Sequence, residues 1–409
     1  MRAHNNQARR SSSTPTMCMT TSLLARRSFD CPSPERQFQT AQYDLGEAAH
    51  RYGALNWDLP IVPQHSKGDD LRERMTRGKA TPLSVIVVNW NGKRFLRECF
   101  DSLRSQTFKD FETILVDNGS TDSSPDYVRQ EFPEVRVIAL NHNAGFARGN
   151  NVGIRASTGE YVALLNNDTK AHPQWLESLK TTLDTHPEIG FCASKIVLYD
   201  QPGVIDSAGD LFYSCGVGEK RGRSQKDDER FAKSIPVFGA CAAAVLYRRE
   251  MLEDIGLFDE DFFAYAEDVD LSFRAQLAGH KCLFVPQAVV YHHLQGTSRS
   301  LPDESLYLSR RNAFCALVKN MPAALLWRRL PYVLGYYFAV DLAYIGKGKV
   351  RPILKARLAN IRRLRRTLAK RRQIQAGRRV SDEYINGAMS TGRVRQMVGR
   401  WLRGLGHRQ

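Results

Sequence analysis

Three clusters of polar residues in this chain carry the side chains that metal-assisted and acid–base chemistry needs. They are Asp117 with the Asn-Gly-Ser that follows it, the triplet Asn166, Asn167 and Asp168, and the acidic group Glu267, Asp268 and Asp270. The first two follow the apolar runs ILV and YVALL, which are typical of buried strands, so these polar groups are expected at strand ends. The acidic group crowds carboxylates that repel each other unless a cation or a shared proton relieves them. Together they predict a site rather than an ordinary surface.

A divalent ion would find ligands among these residues. Asp168 offers a carboxylate at the end of a predicted strand, and His292 offers an imidazole just after the apolar run 285–290. Oxygen and imidazole ligands suit Mg²⁺ or Mn²⁺. His293 is next to His292, and one histidine of this pair is expected to act in the site.

Each cluster also has a structural interpretation. Asp117 and the next three residues could form only a turn, and the 166–168 triplet could cap the helix that follows. The acidic group could simply favour the start of a helix, where the dipole attracts negative charge. The segment NHNAGFARGNNVG, 141–153, fits a phosphate site with Arg148 at a helix start, or a capped helix alone.

Strands and helices alternate through the first part of the body, and this order positions the clusters. The predicted strands are 84–88, 111–116, 135–140 and 161–165, and the predicted helices are 93–105, 125–131, 147–157 and 173–186. Such alternation indicates an α/β fold with a mainly parallel sheet covered by helices on both faces. Ligands bind beyond the carboxyl ends of such strands, where Asn89, Asp117, Asn141 and Asp168 are expected. A further helix is predicted within 262–281, with Phe263, Ala266, Val269, Leu271, Phe273 and Leu277 on its buried side.

Charge is distributed unevenly along the 409 residues. The formal net charge is +16, yet residues 346–409 hold 19 Lys or Arg and only two acids, so this tail alone carries +17. A basic tail on a nearly neutral body indicates an anionic partner, either a membrane or nucleic acid. The tail cations are not interleaved with aromatic residues, which argues against nucleic acid.

Composition sets the remaining bounds. The eight cysteines are widely spaced without a CxxC pair, so they are interpreted as reduced thiols of a cytoplasmic protein. The sequence contains no run of about 20 apolar residues, so no membrane-spanning helix is predicted. The most apolar segment, 331–345, is too short and contains Asp341. We expect three parts: a disordered extension at 1–80, whose composition weakly resembles a transit peptide, a catalytic domain at 81–320, and a basic helical tail at 321–409.

The ordered motifs VVNWNG, VDNGSTDSS, NAGFARGNN, NNDT, FGAC, FFAYAEDVDLSFR and YHH resemble the inverting family 2 glycosyltransferases of the GT-A fold. Within that family they are similar to the bacterial rhamnosyltransferase-like branch, and the resemblance extends from Leu83 to Leu317. It implies a Rossmann-like GT-A domain that uses a nucleotide-diphosphate sugar.

The resemblance also assigns roles to residues. Those implied at the nucleotide are Asn89, Asp117, Asn118, Ser120, Asn143, Arg148, Asn151 and Asn167. Asp168 and His292 would hold Mg²⁺ or Mn²⁺, although Asn166 replaces the first Asp of the family's DxD. Asp268 would be the catalytic base, with Glu267 contacting the acceptor or tuning that base. Gly239, Ala240 and Cys241 would lie beneath the acceptor, where small side chains leave room for a sugar.

The implied reaction is a single displacement with inversion, in which Asp268 deprotonates the attacking hydroxyl. Rhamnose is the expected donor sugar, and galactofuranose, glucose and N-acetylhexosamine are the alternatives. The expected acceptor is a glycan or a lipid-linked sugar of cell-wall or surface-polysaccharide synthesis. Apolar residues recur every three to four positions in the tail, at Ile353 or Leu354, Leu358, Ile361, Leu364 and Leu368. This basic amphipathic helix predicts peripheral association with the anionic inner face of the cell membrane; a solvated helix packed on the body is the alternative.

Overall fold

A ten-stranded mixed sheet forms the centre of the structure. The computed structural model describes residues 81–294 and 301–390. The predicted extension at 1–80 and the end of the predicted tail, 391–409, lie outside the described residues, as does the polar segment after the histidine pair, 295–300.

The strands are β1 (Leu83–Asn89), β2 (Phe111–Asp117), β3 (Val135–Ala139), β4 (Tyr161–Asn166), β5 (Thr169–Ala171), β6 (Ile189–Leu198), β7 (Ile205–Ala208), β8 (Asp210–Tyr213), β9 (Val217–Lys220), β10 (Ile235–Val237), β11 (Ala244–Arg248) and β12 (Lys281–His292). The α-helices are α1 (Lys93–Arg104), α2 (Ser124–Glu131), α3 (Phe146–Ala156), α4 (Trp175–Thr185), α5 (Arg249–Ile255), α6 (Glu267–Leu277), α7 (Pro302–Asn320), α8 (Ala323–Gly346), α9 (Val350–Ala376) and α10 (Asp382–Ala388).

The parallel half of the sheet has the order β3-β2-β1-β4. Its strands are apolar throughout because both faces are covered. Successive side chains alternate between the faces: Val85 and Val87 pack in one core with α1 and α4, whereas Ile86 packs in the other with α3 and α6. The predicted α/β fold with helices on both faces is therefore confirmed, and these eight predicted elements begin and end within about two residues of the observed ones.

The second half makes the sheet mixed. Strand β11 runs antiparallel between β4 and β6, and β6 pairs in parallel with β12. Much of the charged segment 200–236, which the sequence left unexplained, forms the short strands β7, β8 and β9. Strand β7 extends the sheet at β6, and β8 and β9 form a separate hairpin.

The C-terminal helices pack on the domain through a third core. Phe212, Phe238 and Phe273 share this core with Leu317 of α7 and Tyr337 of α8. The predicted helical C-terminal region is confirmed, whereas the domain boundaries at 80 and 320 stay predictions. Among the described helices, none has both the length and the apolar content needed to cross a bilayer.

The buried side predicted for the helix within 262–281 is only partly confirmed. Leu271, Phe273 and Leu277 are buried, but α6 begins at Glu267, so Phe263 lies before the helix and is 38% exposed. A tight backbone turn at Phe263 precedes the helix and causes this difference.

Candidate functional site

The ends of β1 and β2 are joined by a buried network of polar side chains. Asn89 Nδ2 donates to Asp117 Oδ1 at 2.9 Å and to Ser120 Oγ at 3.2 Å. Ser120 donates to the same carboxylate from Oγ at 2.6 Å and from its backbone N–H at 2.9 Å. Asn167 extends the network by donating to Asn89 Oδ1 at 2.6 Å, and a Cβ on Gly92 would lie only 2.1 Å from that amide nitrogen. The expected meeting of polar groups at this sheet edge is observed, and their contacts with a nucleotide stay predictions.

The loop before α3 is held by a second set of amides. Asn118 accepts from the N–H of Ala144 and donates to the carbonyl of Gly145, each at 3.0 Å. Asn143 Oδ1 accepts from the N–H of Gly145, also at 3.0 Å. Gly145 has a φ of +89°, and a Cβ there would lie 2.6 Å from the ring and the carbonyl of Phe263. The predicted phosphate loop therefore packs directly against the turn that precedes the acidic group.

Arg148 and Asn151, both on α3, have different environments. The Arg148 side chain is 56% exposed and its Nε lies 3.9 Å from Glu260, so it remains accessible to an anion. Asn151 is buried and exchanges hydrogen bonds with the backbone of Phe258, and it also donates to Glu260 at 2.9 Å. It borders an open cavity of about 560 Å³ between α3, α6, α7 and α9. Asn151 thus holds the 258–260 loop here, and a contact with the nucleotide stays a prediction.

The two predicted metal ligands are in contact. His292 Nε2 lies 3.2 Å from Asp168 Oδ1, and its Nδ1 lies 3.0 Å from Asp206 Oδ2. Lys220 Nζ donates to the same Asp206 oxygen at 2.7 Å. Burial alone would raise the pKa of Asp168, but the hydrogen bond and charge of His292 lower it below its usual range. Burial opposes a charged imidazole, yet the two carboxylates raise the pKa of His292.

The donor chemistry of this pair fits a divalent ion completed by substrate oxygens. Asp168 supplies an oxygen and His292 supplies Nε2, while Asp206 on Nδ1 orients the ring as the second partner of metal-bound histidines commonly does. In the part of the chain that the structure describes, no group of three or more His, Cys, Asp or Glu is arranged for a metal. A bound ion would therefore depend on the donor diphosphate for further ligands, as Mg²⁺ commonly does.

Asp268 lies in the first turn of α6 and is partly exposed. Its Oδ2 accepts from the N–H of Ala242 at 3.2 Å, and its Oδ1 accepts from the N–H of Val269 at 2.8 Å. Burial by surrounding protein raises the pKa of Asp268, while these two hydrogen bonds and the charge of Lys220 act in the opposite direction. A raised pKa on a partly exposed carboxylate suits a group that must accept a proton.

The other two acids of this group have different roles. Asp270 is fully buried between Arg274 at 3.0 Å and Lys319 at 2.8 Å, so it joins α6 to α7. Glu267 is buried with Oε2 unpartnered, and burial followed by the charge of Asp268 raises its pKa well above the usual range. Burial and the Asp268 charge therefore favour the protonated form of Glu267, while its tuning of the base and its contact with an acceptor stay predictions.

The backbone before Asp268 is strained. Phe263, Tyr265 and Ala266 all have φ between +63° and +71°, which is uncommon for residues with side chains. The N–H of Ala264 donates to the carbonyl of Phe262 at 2.8 Å, closing a γ-turn at Phe263, a form that is rare because it is strained. Such conformations persist only where surrounding contacts impose them, and they concentrate at functional sites.

Two side chains of α7 impose this turn. Asn312 Nδ2 lies within 2.9 Å of the carbonyl oxygens of Phe262, Ala264 and Tyr265. Arg311 donates to the carbonyl of Phe262 at 2.8 Å and to Asn312 Oδ1 at 2.7 Å. Helix α7 thereby fixes the backbone from which Asp268 projects.

The segment expected beneath the acceptor lies beside Asp268, but its small residues have a packing role. A Cβ on Gly239 would lie 2.5 Å from Ser272 of α6, and Ala240 is fully buried. Small side chains here let this segment approach α6, and its position beneath an acceptor stays a prediction. Cys241 precedes Ala242, whose N–H binds Asp268.

Several residues of the site escaped the sequence analysis. Asp206, Asp210 and Lys220 lie in the segment 200–236, and only their charge in an otherwise β-like context signalled them. Asp210 is buried with Oδ1 unpartnered, and burial followed by the charge of Asp268 raises its pKa well above the usual range. Lys220 thus connects the Asp168 pair, through Asp206, with the surroundings of Asp268.

His293 and Arg310 are held by structural partners. His293 Nε2 contacts Glu98 at 3.0 Å and its ring stacks on Tyr199, so His292 is the member of the pair that lies in the site. Arg310 pairs with Asp341 at 3.0 Å.

Residues 84–256 match the family model described as glycosyl transferase family 2. The chain is 28% identical over 247 residues to the O-antigen biosynthesis protein RfbC of Myxococcus xanthus, a match covering 56% of this chain and 19% of that protein. It is 27% identical over 273 residues to the N-acetylglucosaminyl-diphospho-decaprenol L-rhamnosyltransferase of Mycobacterium tuberculosis, covering 61% of this chain and 87% of that one. The resemblance predicted from the motifs is confirmed.

Solved structures are also similar to this chain. The crystal structure of S. aureus TarS 1–349 matches with a TM-score of 0.45 and 21% identity, covering 63% of this chain and 72% of that one. The crystal structure of GalNAc-T7 with UDP, GalNAc and Mn²⁺ matches with a TM-score of 0.47 and 15% identity, covering 66% of this chain and 53% of that one.

Proposed function

This chain is a glycosyltransferase with a family 2 domain at residues 84–256, and from that premise we propose that it transfers a sugar with inversion from a nucleotide-diphosphate donor to a hydroxyl of a glycan or lipid-linked acceptor. The observation that carries the proposal is the state of Asp268. It is the one member of its acidic group that combines partial exposure, a raised pKa and fixed hydrogen bonds.

The proposed reaction builds charge at two places. The acceptor hydroxyl loses its proton to Asp268 as it attacks the anomeric carbon, and general-base assistance of this kind contributes about 10² to 10⁴ in rate. The leaving diphosphate gains negative charge, which the exposed Arg148 at the start of α3 is placed to offset. Glu267, held neutral, avoids a second negative charge beside the base.

A divalent ion, Mg²⁺ or Mn²⁺, would be held by Asp168 and His292 and would neutralise charge on the leaving diphosphate when bound. Asp206 would keep the His292 ring oriented, and Lys220 would balance the charge of Asp206. Asn166 places a neutral amide 3.5 Å from His292 Nε2, where the family pattern has a carboxylate nearby. We therefore expect weaker metal binding than a site with two carboxylates would show.

Rhamnose is the proposed donor sugar. The motif resemblance and the relative named as an L-rhamnosyltransferase support it, and that relative's name also supports a lipid-linked acceptor. Galactofuranose, glucose and N-acetylhexosamine remain the alternative sugars because the fold accommodates many donors. A cytoplasmic location at the inner face of the membrane stays a prediction.

The test is thermal stabilisation of the full chain by a panel of sugar nucleotides, each with and without Mn²⁺. We expect stabilisation by at least one nucleotide-diphosphate sugar of the panel, and we expect it to increase with Mn²⁺. The increase should disappear in Asp168→Asn and in His292→Ala, and it should persist in the surface control Asp254→Asn, whose carboxylate pairs with Arg379. Lack of stabilisation by every sugar nucleotide in the wild-type chain would contradict the proposed function.

A further inference from the structure

Helix α9 packs on the body through a side that carries many polar groups. Arg357 donates to Asp341 at 2.6 Å, Arg371 donates to the carbonyls of Val318 and Met321, and Gln375 donates to the carbonyl of Asn320. Asn360 and Thr367 are buried on this side together with Ile353 and Ala356. Polar groups thus make up much of the packed side, which an ordinary surface helix would fill with apolar residues.

The apolar side of α9 consequently faces outward. Its exposed members recur every three or four residues, and they are Val350, Leu354, Leu358, Ile361, Leu364 and Leu368. Leu354 is 54% exposed and Ile361 is 70% exposed. We call these six residues the outer stripe. The predicted amphipathic pattern is therefore present with Leu354 rather than Ile353 in the outer stripe, and the alternative of a helix packed on the body is also observed, through the other side of the helix.

Helix α8 adds a second exposed row of apolar residues. Its members are spaced by seven, four and four residues, which places them on one side of the helix, and they are Trp327, Leu334, Phe338 and Leu342. Trp327 is 72% exposed and Phe338 is 66% exposed. Helices α8 and α9 are consecutive, and Asp341 of α8 pairs with Arg357 of α9, so both rows belong to one packed helix pair.

Cations lie beside the outer stripe. Arg351, Arg362, Arg365 and Arg372 are exposed on α9, and within the described residues no ion pair engages them. Several other cations of α9 are instead paired with acids of the body, Lys370 with Asp259 and Arg366 with Asp261 among them. The unpaired cations are thus concentrated where the apolar side chains are exposed.

We propose that the outer stripe and the α8 row form a docking surface for an anionic lipid bilayer, with α9 lying in the headgroup plane. Aliphatic side chains would enter the boundary of the acyl region, the four unpaired arginines would meet lipid phosphates, and Trp327 suits the interface, where aromatic residues are enriched. The charge complementarity selects an anionic bilayer over a neutral one. This surface goes beyond the proposed transfer reaction and can be tested without it.

The experiment is flotation of the full chain with vesicles of phosphatidylcholine alone or with roughly one-third phosphatidylglycerol. The stripe variant is Leu354→Ser, Leu358→Ser and Ile361→Ser together. The matched control is Ala369→Ser, Gln373→Ser and Ala376→Ser, three exposed positions of the same helix outside the outer stripe. Circular dichroism checks that both remain folded.

We expect the wild type and the control to bind the anionic vesicles and the stripe variant to bind at least about tenfold less. Arg362→Gln with Arg365→Gln should remove the preference for anionic over neutral vesicles. Equal binding by the stripe variant and the control would overturn the proposal. Failure of the wild type to bind either kind of vesicle would also overturn it. A wild-type dimer in light scattering that the stripe variant does not form would overturn it too, because the surface would then belong to a contact with a second copy. Stabilisation by sugar nucleotides is measured separately, so failure of vesicle binding does not imply failure of the proposed transfer function, and the reverse also holds.

Discussion

Asn312 lies away from the reacting groups, yet the structure predicts that it governs catalysis. Its amide nitrogen holds three carbonyls of the strained turn from which Asp268 projects. In Asn312→Ala, the carbonyl of Phe262 keeps Arg311 as a donor, whereas those of Ala264 and Tyr265 lose this donor. The turn should then relax and move Asp268 away from its position beside Ala242.

The magnitude follows from two carbonyl groups and from the strain of the turn. Leaving the partly buried carbonyls of Ala264 and Tyr265 without the Asn312 amide costs about 2 to 4 kcal/mol. The three residues with positive φ, Phe263, Tyr265 and Ala266, store on the order of 1 to 3 kcal/mol each, which favours relaxation once the restraint is gone. A change of 2 to 4 kcal/mol shifts an equilibrium by roughly 30-fold to 1000-fold. We therefore expect kcat to fall at least about tenfold.

The assay is steady-state transfer with separate kcat and donor KM, compared with Asn320→Ala. Asn320 is a buried asparagine on the same helix that donates to Asp270 at 2.8 Å and does not contact the turn. Both variants should lose stability by about 1 to 3 kcal/mol, but only Asn312→Ala should lose kcat, with donor KM changed less than about threefold. Equal kcat values in the two folded variants would refute the role assigned to the turn.

Three further outcomes are expected. Glu267→Gln should keep kcat within about threefold, because the raised pKa of Glu267 favours the protonated form that Gln resembles. Its thermal midpoint should exceed that of the wild type increasingly as pH rises above the usual pKa of a glutamic acid, because the unfolded wild type releases this proton at a lower pH than the folded protein does. A large loss of kcat would contradict this. Lys220→Gln should move the acid limb of the pH profile of kcat to higher pH. The Lys220 charge lowers the pKa of Asp268, and this base must be ionised to act. If the acid limb, measured from pH 4 to 9, did not move, the result would count against a base near Lys220. Asp341→Asn should reduce the free energy of unfolding in urea by about 2 to 4 kcal/mol, because it leaves Arg310 and Arg357 without their shared carboxylate, whereas Asp303→Asn at an exposed pair should cost less than about 1 kcal/mol.

The sequence predicted the parallel half of the fold well because its signals are local. The apolar runs that end at Asn89 and Asp117 are strands stopped by residues that favour turns, and parallel strands bring their carboxyl ends to one edge. The contacts among Asn89, Asp117 and Asn167 follow from that rule. The His292 and Asp168 pair came from the family resemblance and from ligand chemistry.

What the sequence could not predict depends on distant partners. The turn at Phe263 is held by Asn312, 49 residues later, so the local pattern alone favoured a buried face. The difference between Asp268 and Asp270 comes from Lys319, and the roles of Asp206 and Lys220 come from short strands with weak patterns. Likewise, periodicity revealed the apolar side of α9 but not that this side faces outward.

We propose that Asp268 removes the acceptor proton within the cluster that also contains Asp168 and His292. The decisive measurement is single-turnover transfer by Asp268→Asn, with the nucleotide Kd measured on the same preparation. We expect a rate lower by about 10² to 10⁴ and a Kd changed less than about threefold. A near-normal rate in the folded Asn variant would contradict it.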